Sequence, residues 1–117
     1  MYFKNLESFI NTLQGVTFDY PFDEKTRVYR VSEKMFALTE DKSPLRVNLK
    51  CDPIYALELR SLYKGIIAGY HMNKKHWNTV TIEDSDVDEE LVKELIEHSY
   101  KLVFSKLTKK QRDLVGN

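Results

Sequence analysis

The chain has 117 residues, is 42% hydrophobic and 12% aromatic, and balances 18 basic against 18 acidic side chains. That length and apolar content suit a single domain over 1–117 with its own core, and the lone cysteine, Cys51, excludes an intrachain disulfide. Zero net charge argues against coating nucleic acid by bulk charge. No apolar run reaches the roughly 20 residues of a membrane helix, and the opening "MYFKNLESF" lacks a basic stretch followed by an apolar one. The expectation is a cytoplasmic monomer.

Residues 3–14 read as a helix: Phe3, Leu6, Ile10 and Leu13 recur at helical spacing, and Gly15 is placed to end it. Residues 27–51 read as three strands. "RVYRVSEKMFALTE" breaks at Ser32-Glu33-Lys34, a tight turn, and "LRVNLKC" alternates cleanly. Leu45, Val47, Leu49 and Cys51 share its inner face, while Arg46, Asn48 and Lys50 share the open one. Residues 53–64 read as a helix capped by Asp52, with Pro53 at its first position, Gly65 at its end and Tyr55, Leu59 and Leu62 packing inward. Two more strands follow at 68–72 and 76–82, joined by Asn73-Lys74-Lys75. Val80 and Ile82 point to the core, and Trp77, Thr79 and Thr81 to the open face unless a bulge intervenes. A long helix covers 87–105, with Asp86 and Glu89 as its capping box, and a short one follows at 109–115.

The order is α-β-β-β-α-β-β-α: a two-layer α+β domain whose five-stranded antiparallel sheet is covered on one face by helices. Charge is unevenly placed along it. Residues 83–97 hold eight acids and one lysine, whereas 98–112 hold five lysines and arginines with no acid.

The stretch "GYHMNKKHWNTV" (69–80) gathers histidine, lysine and aromatics with no acid. As a metal site it is poor, because His71 and His76 have no cysteine or carboxylate between them and zinc wants three or four ligands. The acids at 86–90 are explained by the helix N-terminus they flank and lack the calcium-loop pattern. No nucleophile elbow, phosphate loop or dinucleotide fingerprint occurs, and Cys51 points inward, so neither a catalytic residue nor a cofactor is expected. Nucleic acid fits better: lysines neutralise phosphates and aromatics stack on bases. A polar outer sheet face and a lysine-guarded turn are also ordinary features of any half-open sheet. A protein-interaction module using the sheet face or edge, anchored by Tyr70 and Trp77, is the competing class. A small-ligand pocket between Trp77, His76 and the helix at 53–64 is a third.

The blocks "KMFAL" (34–38), "RVNLKCDP" (46–53), "GYHMNKKHWNTV" (69–80) and "SYKLV" (99–103) resemble, in order and spacing, the MmcQ/YjbR-like family over about residues 20–110. Tyr70, His71, Met72, Asn73, Lys74, Lys75, His76, Trp77 and Asn78 match its hallmark block. The resemblance implies an α+β fold like the CyaY-like and secretion-chaperone-like domains. It also implies a small bacterial cytoplasmic protein of a group commonly called DNA-binding for its double-wing shape. The expected interface is a hairpin wing presenting Lys74 and Lys75 to DNA, extended by Lys50, Arg46, Asn73, His76 and Trp77.

Overall fold

The computed structural model describes residues 1–69 and 72–116. Its elements are α1 (Phe3–Asn11), β1 (Val16–Asp19), β2 (Arg27–Val31), β3 (Lys34–Thr39), β4 (Arg46–Lys50), α2 (Pro53–Leu62), β5 (Ile66–Ala68), β6 (Trp77–Thr81), α3 (Glu89–Ser105) and α4 (Lys109–Val115). The strands form one antiparallel sheet in the order β1-β2-β3-β4-β6-β5.

The fold is α+β as expected, with six strands rather than five. β1 is the addition. It has four residues, and all but Val16 are exposed, so its alternation leaves little hydrophobic signal. α1 stops at Asn11, and Gly15, with φ of 73°, instead turns the chain into β1. The strand expected at 68–72 lies earlier, at Ile66–Ala68. α3 begins at Glu89, capped by Asp88, whose carboxylate accepts from Leu91 N at 2.8 Å. Asp86 does not cap α3 but accepts from the backbone of Lys64 and Gly65 at 2.7 and 2.8 Å, fixing the turn between α2 and β5. Leu62, expected to pack, is exposed, and Ala56 is buried in its place.

The core lies between the sheet and the helices. Val47, Leu49 and Val80 from the sheet meet Leu6 and Ile10 of α1, Ala56 and Leu59 of α2, and Val92, Ile96 and Val103 of α3. Cys51 belongs to this core, and burial pushes its thiol up to about 11, with Asp52 adding to the shift. No helix is long and apolar enough to cross a membrane among the described residues.

A bulge in β3 shapes the other face. The register moves from Tyr29–Ala37 to Arg30–Met35, leaving Phe36 as the extra residue. Phe36 and Ala37 therefore both enter the core, while Met35 and Leu38 reach the open face. There they join Val28, Trp77 and Met72 in a second apolar cluster.

The sheet has two distinct ends. At one lie the Ser32-Glu33 turn, the end of β4 at Lys50 and the start of β6 at Trp77. At the other lie the connections 20–26, 40–45 and 82–88. These are called the turn end and the far end below.

Candidate nucleic-acid interface

The described residues 72–76, ahead of Trp77, are held by backbone and short polar side chains. The Asn73 carbonyl accepts from His76 N at 3.1 Å and Trp77 N at 3.0 Å, and its side-chain oxygen accepts from Lys75 N at 2.9 Å. Gly69 N donates to the Trp77 carbonyl at 2.8 Å; a Cβ at Gly69 would sit 2.7 Å from that of Trp77, so glycine is needed there for close approach. Arg60 of α2 holds the loop from the helix side. Its Nε donates to Asn78 Oδ1 at 2.6 Å, and its Nη2 donates to the carbonyls of Lys74 and Trp77.

The expected site residues divide into three groups. Lys74 and Lys75 are exposed on the turn, with Lys74 Nζ reaching the Gly69 carbonyl at 3.4 Å. Asn73 is exposed, but its side chain serves the turn, and the half-buried His76 lends its carbonyl to Cys51 N at 2.8 Å. Trp77 is on the open face, as its parity requires, yet is only 6% exposed beneath the second apolar cluster. Its ring is therefore not a free stacking platform. Lys50 pairs in register with Trp77 at the turn end. Arg46 pairs with Thr81 at the far end, about 13 Å along the strand from Lys50. The two do not form one patch. Tyr70 and His71 lie outside the described residues.

Among the described residues, the structure does not bring Trp77, His76 and α2 together around the expected small-ligand pocket. Trp77 lies on the open face and α2 on the other, and Arg60 fills the space between that helix and the loop.

Lys50 has different neighbours from those the sequence picks out. With Arg30, Lys34 and Lys106 it surrounds a hollow of about 410 Å³ at the turn end, lined also by Met35 and Trp77, with Glu33 in its wall. Burial depresses the Lys50 pKa, and repulsion from Lys106 and Lys34 depresses it further. Arg30 is engaged by Asp19 at 3.0 Å, but among the described residues none of the three lysines has an ion-pair partner. Ser99 holds the assembly together: it accepts from Lys50 N at 2.9 Å and donates to the Phe36 carbonyl at 2.5 Å. Lys34 stands beside the tight turn, and Lys106 caps α3 within the acid-free stretch 98–112. The basic stretch is visible in sequence; its meeting with Lys50 is not, because that depends on α3 running the length of the sheet.

The first acids of the segment, 83–90, lie at the far end. Glu83 accepts from Ser43 Oγ at 2.9 and 2.8 Å and from Leu45 N at 3.0 Å, which holds it low in pKa. Asp86 is tied to the start of β5, and Asp88 and Glu89 open α3. The 17 residues of α3 span about 25 Å, which sets the acids of its first turn, Glu89 and Glu90, apart from Lys106 at its C-terminus.

Known proteins share this architecture. The family model called YjbR matches residues 11–102. The uncharacterized protein YbdF of Escherichia coli O157:H7 is 35% identical over 97 residues, covering 82% of this chain and 79% of that protein. The uncharacterized protein YjbR of Escherichia coli K12 is 29% identical over 94 residues, 80% of this chain and 79% of that protein. The crystal structure of Deinococcus radiodurans protein DR2400, with family-model domain DUF419, superposes with a TM-score of 0.89 at 41% identity, covering 98% of this chain and 88% of that one. A Pseudomonas syringae crystal structure gives 0.75 at 27% identity, covering 87% of this chain and 98% of that one. With the family model spanning most of the chain and the fold shared along nearly all of it, the chain belongs to the YjbR family.

Proposed function

We propose that the chain binds the phosphate backbone of DNA through the turn end of its sheet. The observation that carries this reading is the hollow ringed by Lys34, Lys50 and Lys106, three ammonium groups without an ion-pair partner among the described residues. Such a cluster is costly in isolation, and a bound phosphate relieves it. Lys74 and Lys75, on the loop at the same end, add two exposed cations. Contacts of this kind give affinity with little sequence information. Trp77 would serve as the wall of the hollow rather than as a base-stacking ring.

The test is fluorescence anisotropy of labelled duplex DNA across a salt series. Three to five neutralised phosphates give a log–log slope of about −3 to −4.5. Lys34→Glu/Lys106→Glu should abolish binding at 100 mM salt, and Lys74→Glu/Lys75→Glu should weaken it and flatten the slope by about 2. Salt-independent binding, or double mutants that bind as wild type, would overturn the reading.

A protein-interaction module is the second reading. The exposed side chains of the two edge strands favour it: Phe18 on β1 is 46% exposed and Ile67 on β5 is 53% exposed. Such binding would tolerate salt and respond to Phe18→Ser or Ile67→Lys instead.

A further inference from the structure

The apolar cluster of Trp77, Met72 and Met35 divides the open face. On the turn-end side lies the lysine hollow. On the other side lies a cavity of about 520 Å³, within the roughly 300–1,000 Å³ range of small-molecule sites. Leu38, Phe22, Pro44 and Met72 give it an apolar lining, and Arg46, Asn48 and Thr79 bring polar groups into it.

Its walls are fixed before any ligand arrives. Asp23 Oδ1 accepts from Lys25 N and Thr26 N at 2.8 and 2.6 Å, and Asp23 Oδ2 from Thr26 Oγ1 at 3.1 Å, bracing the loop that carries Phe22. Arg27 Nε donates to the Tyr20 hydroxyl at 2.9 Å at the start of the same loop. On the opposite wall, Glu83 pins Ser43 and Leu45, the residues on either side of Pro44. Phe22 nonetheless remains 64% exposed, a large apolar side chain held over a hollow with nothing among the described residues covering it.

The polar groups set the charge of the occupant. Thr79 Oγ1 donates to Asn48 Oδ1 at 2.5 Å, which leaves the Asn48 amide nitrogen as a donor. Arg46 is exposed and has no ion pair or hydrogen bond from its guanidinium among the described residues. The one carboxylate in the lining, Glu40, is matched by Lys42 at 3.4 Å. We propose that this cavity binds a small apolar carboxylate, such as an aromatic acid, its ring against Leu38, Phe22 and Met72 and its carboxylate on Arg46. Guanidinium and carboxylate suit each other in a two-point contact that a neutral analogue cannot reproduce. The proposal is independent of DNA binding, since the lysine hollow lies beyond Trp77.

The experiment is a titration followed by amide chemical shifts, with naphthalene-2-carboxylate and the neutral naphthalene-2-methanol as matched probes. The acid should saturate, move the amides of Leu38, Asn48 and Thr79, and bind at least tenfold tighter than the alcohol. Arg46→Gln, a surface change that spares the core, should erase that preference. Leu38→Ser should weaken both probes, with the retained dispersion of core amides showing that the variant is folded. Equal binding of acid and alcohol, an unchanged preference in Arg46→Gln, shifts centred on Lys50 and Lys106, or no saturable shift at millimolar probe would each overturn the proposal.

Discussion

Ser99 is fully buried, and its hydroxyl replaces a rung that the sheet cannot make. The β3–β4 ladder runs from Thr39–Val47 to Ala37–Leu49 and stops where the bulge at Phe36 breaks the register. That leaves the Phe36 carbonyl and the Lys50 N–H without a strand partner, and Ser99 takes both. Removing the hydroxyl strands two buried backbone groups at once. Ser99→Ala should therefore cost about 1–3 kcal/mol and lower the melting temperature by roughly 4–12 °C, measurable by calorimetry. A change below one degree would mean that the bulge closes without it. Sequence reading places Ser99 only as the first letter of a family block. No helical periodicity distinguishes a serine that bridges two strands from one that faces water.

At the scale of elements, the loop between β5 and β6 depends on α2. Arg60 donates to Asn78 and to two loop carbonyls, so one rigid guanidinium fixes the path of the chain that displays Lys74 and Lys75. Arg60→Lys keeps the charge but loses the fork. Its expected effect is at least tenfold faster amide exchange at His76 and Trp77, with core amides unchanged, read by hydrogen-exchange NMR. Exchange at the wild-type rate would show that Asn73 alone holds the turn. Most elements are legible in the sequence. β4 alternates over five residues, and α2 has Asp52, Pro53 and an apolar stripe to mark it. β1 is not, because three of its four residues are exposed. The capping residue of α3 lies two positions beyond the one the sequence suggests, since several acids stand at 86–90 and only the tertiary contact of Asp86 with Lys64 and Gly65 decides between them. The basic patch is hidden for a similar reason: Lys34 and Lys106 are 72 positions apart in the numbering and meet only through the fold.

Across the whole molecule, acid should act in two stages. His98 accepts from Asp52 N at 3.2 Å through Nε2 and packs edge-on against Tyr55, and burial holds its pKa below the ordinary histidine value despite the nearby Asp52 charge. The unfolded chain therefore takes up its proton first, and stability falls as pH drops below about 6.5. Asp23, Glu83 and Asp86, each held low mainly by hydrogen bonds, add a second decline below about pH 4.5. Urea midpoints measured from pH 8 to pH 3 should show both stages. His98→Gln, which preserves an acceptor, should remove the first alone; a profile flat between pH 7 and pH 5 in the wild type would refute the role of His98.

The separation of acids and lysines along α3 has a further consequence for encounter. A neutral body feels no net pull toward a polyanion from afar. One with opposite charges about 25 Å apart does feel a torque, which turns its lysine end forward as it approaches. Because ions shorten the reach of the field that does this to about 8 Å at physiological strength, such a molecule wanders unguided until it is nearly touching. On the proposed reading, it then meets DNA with its lysine end already forward.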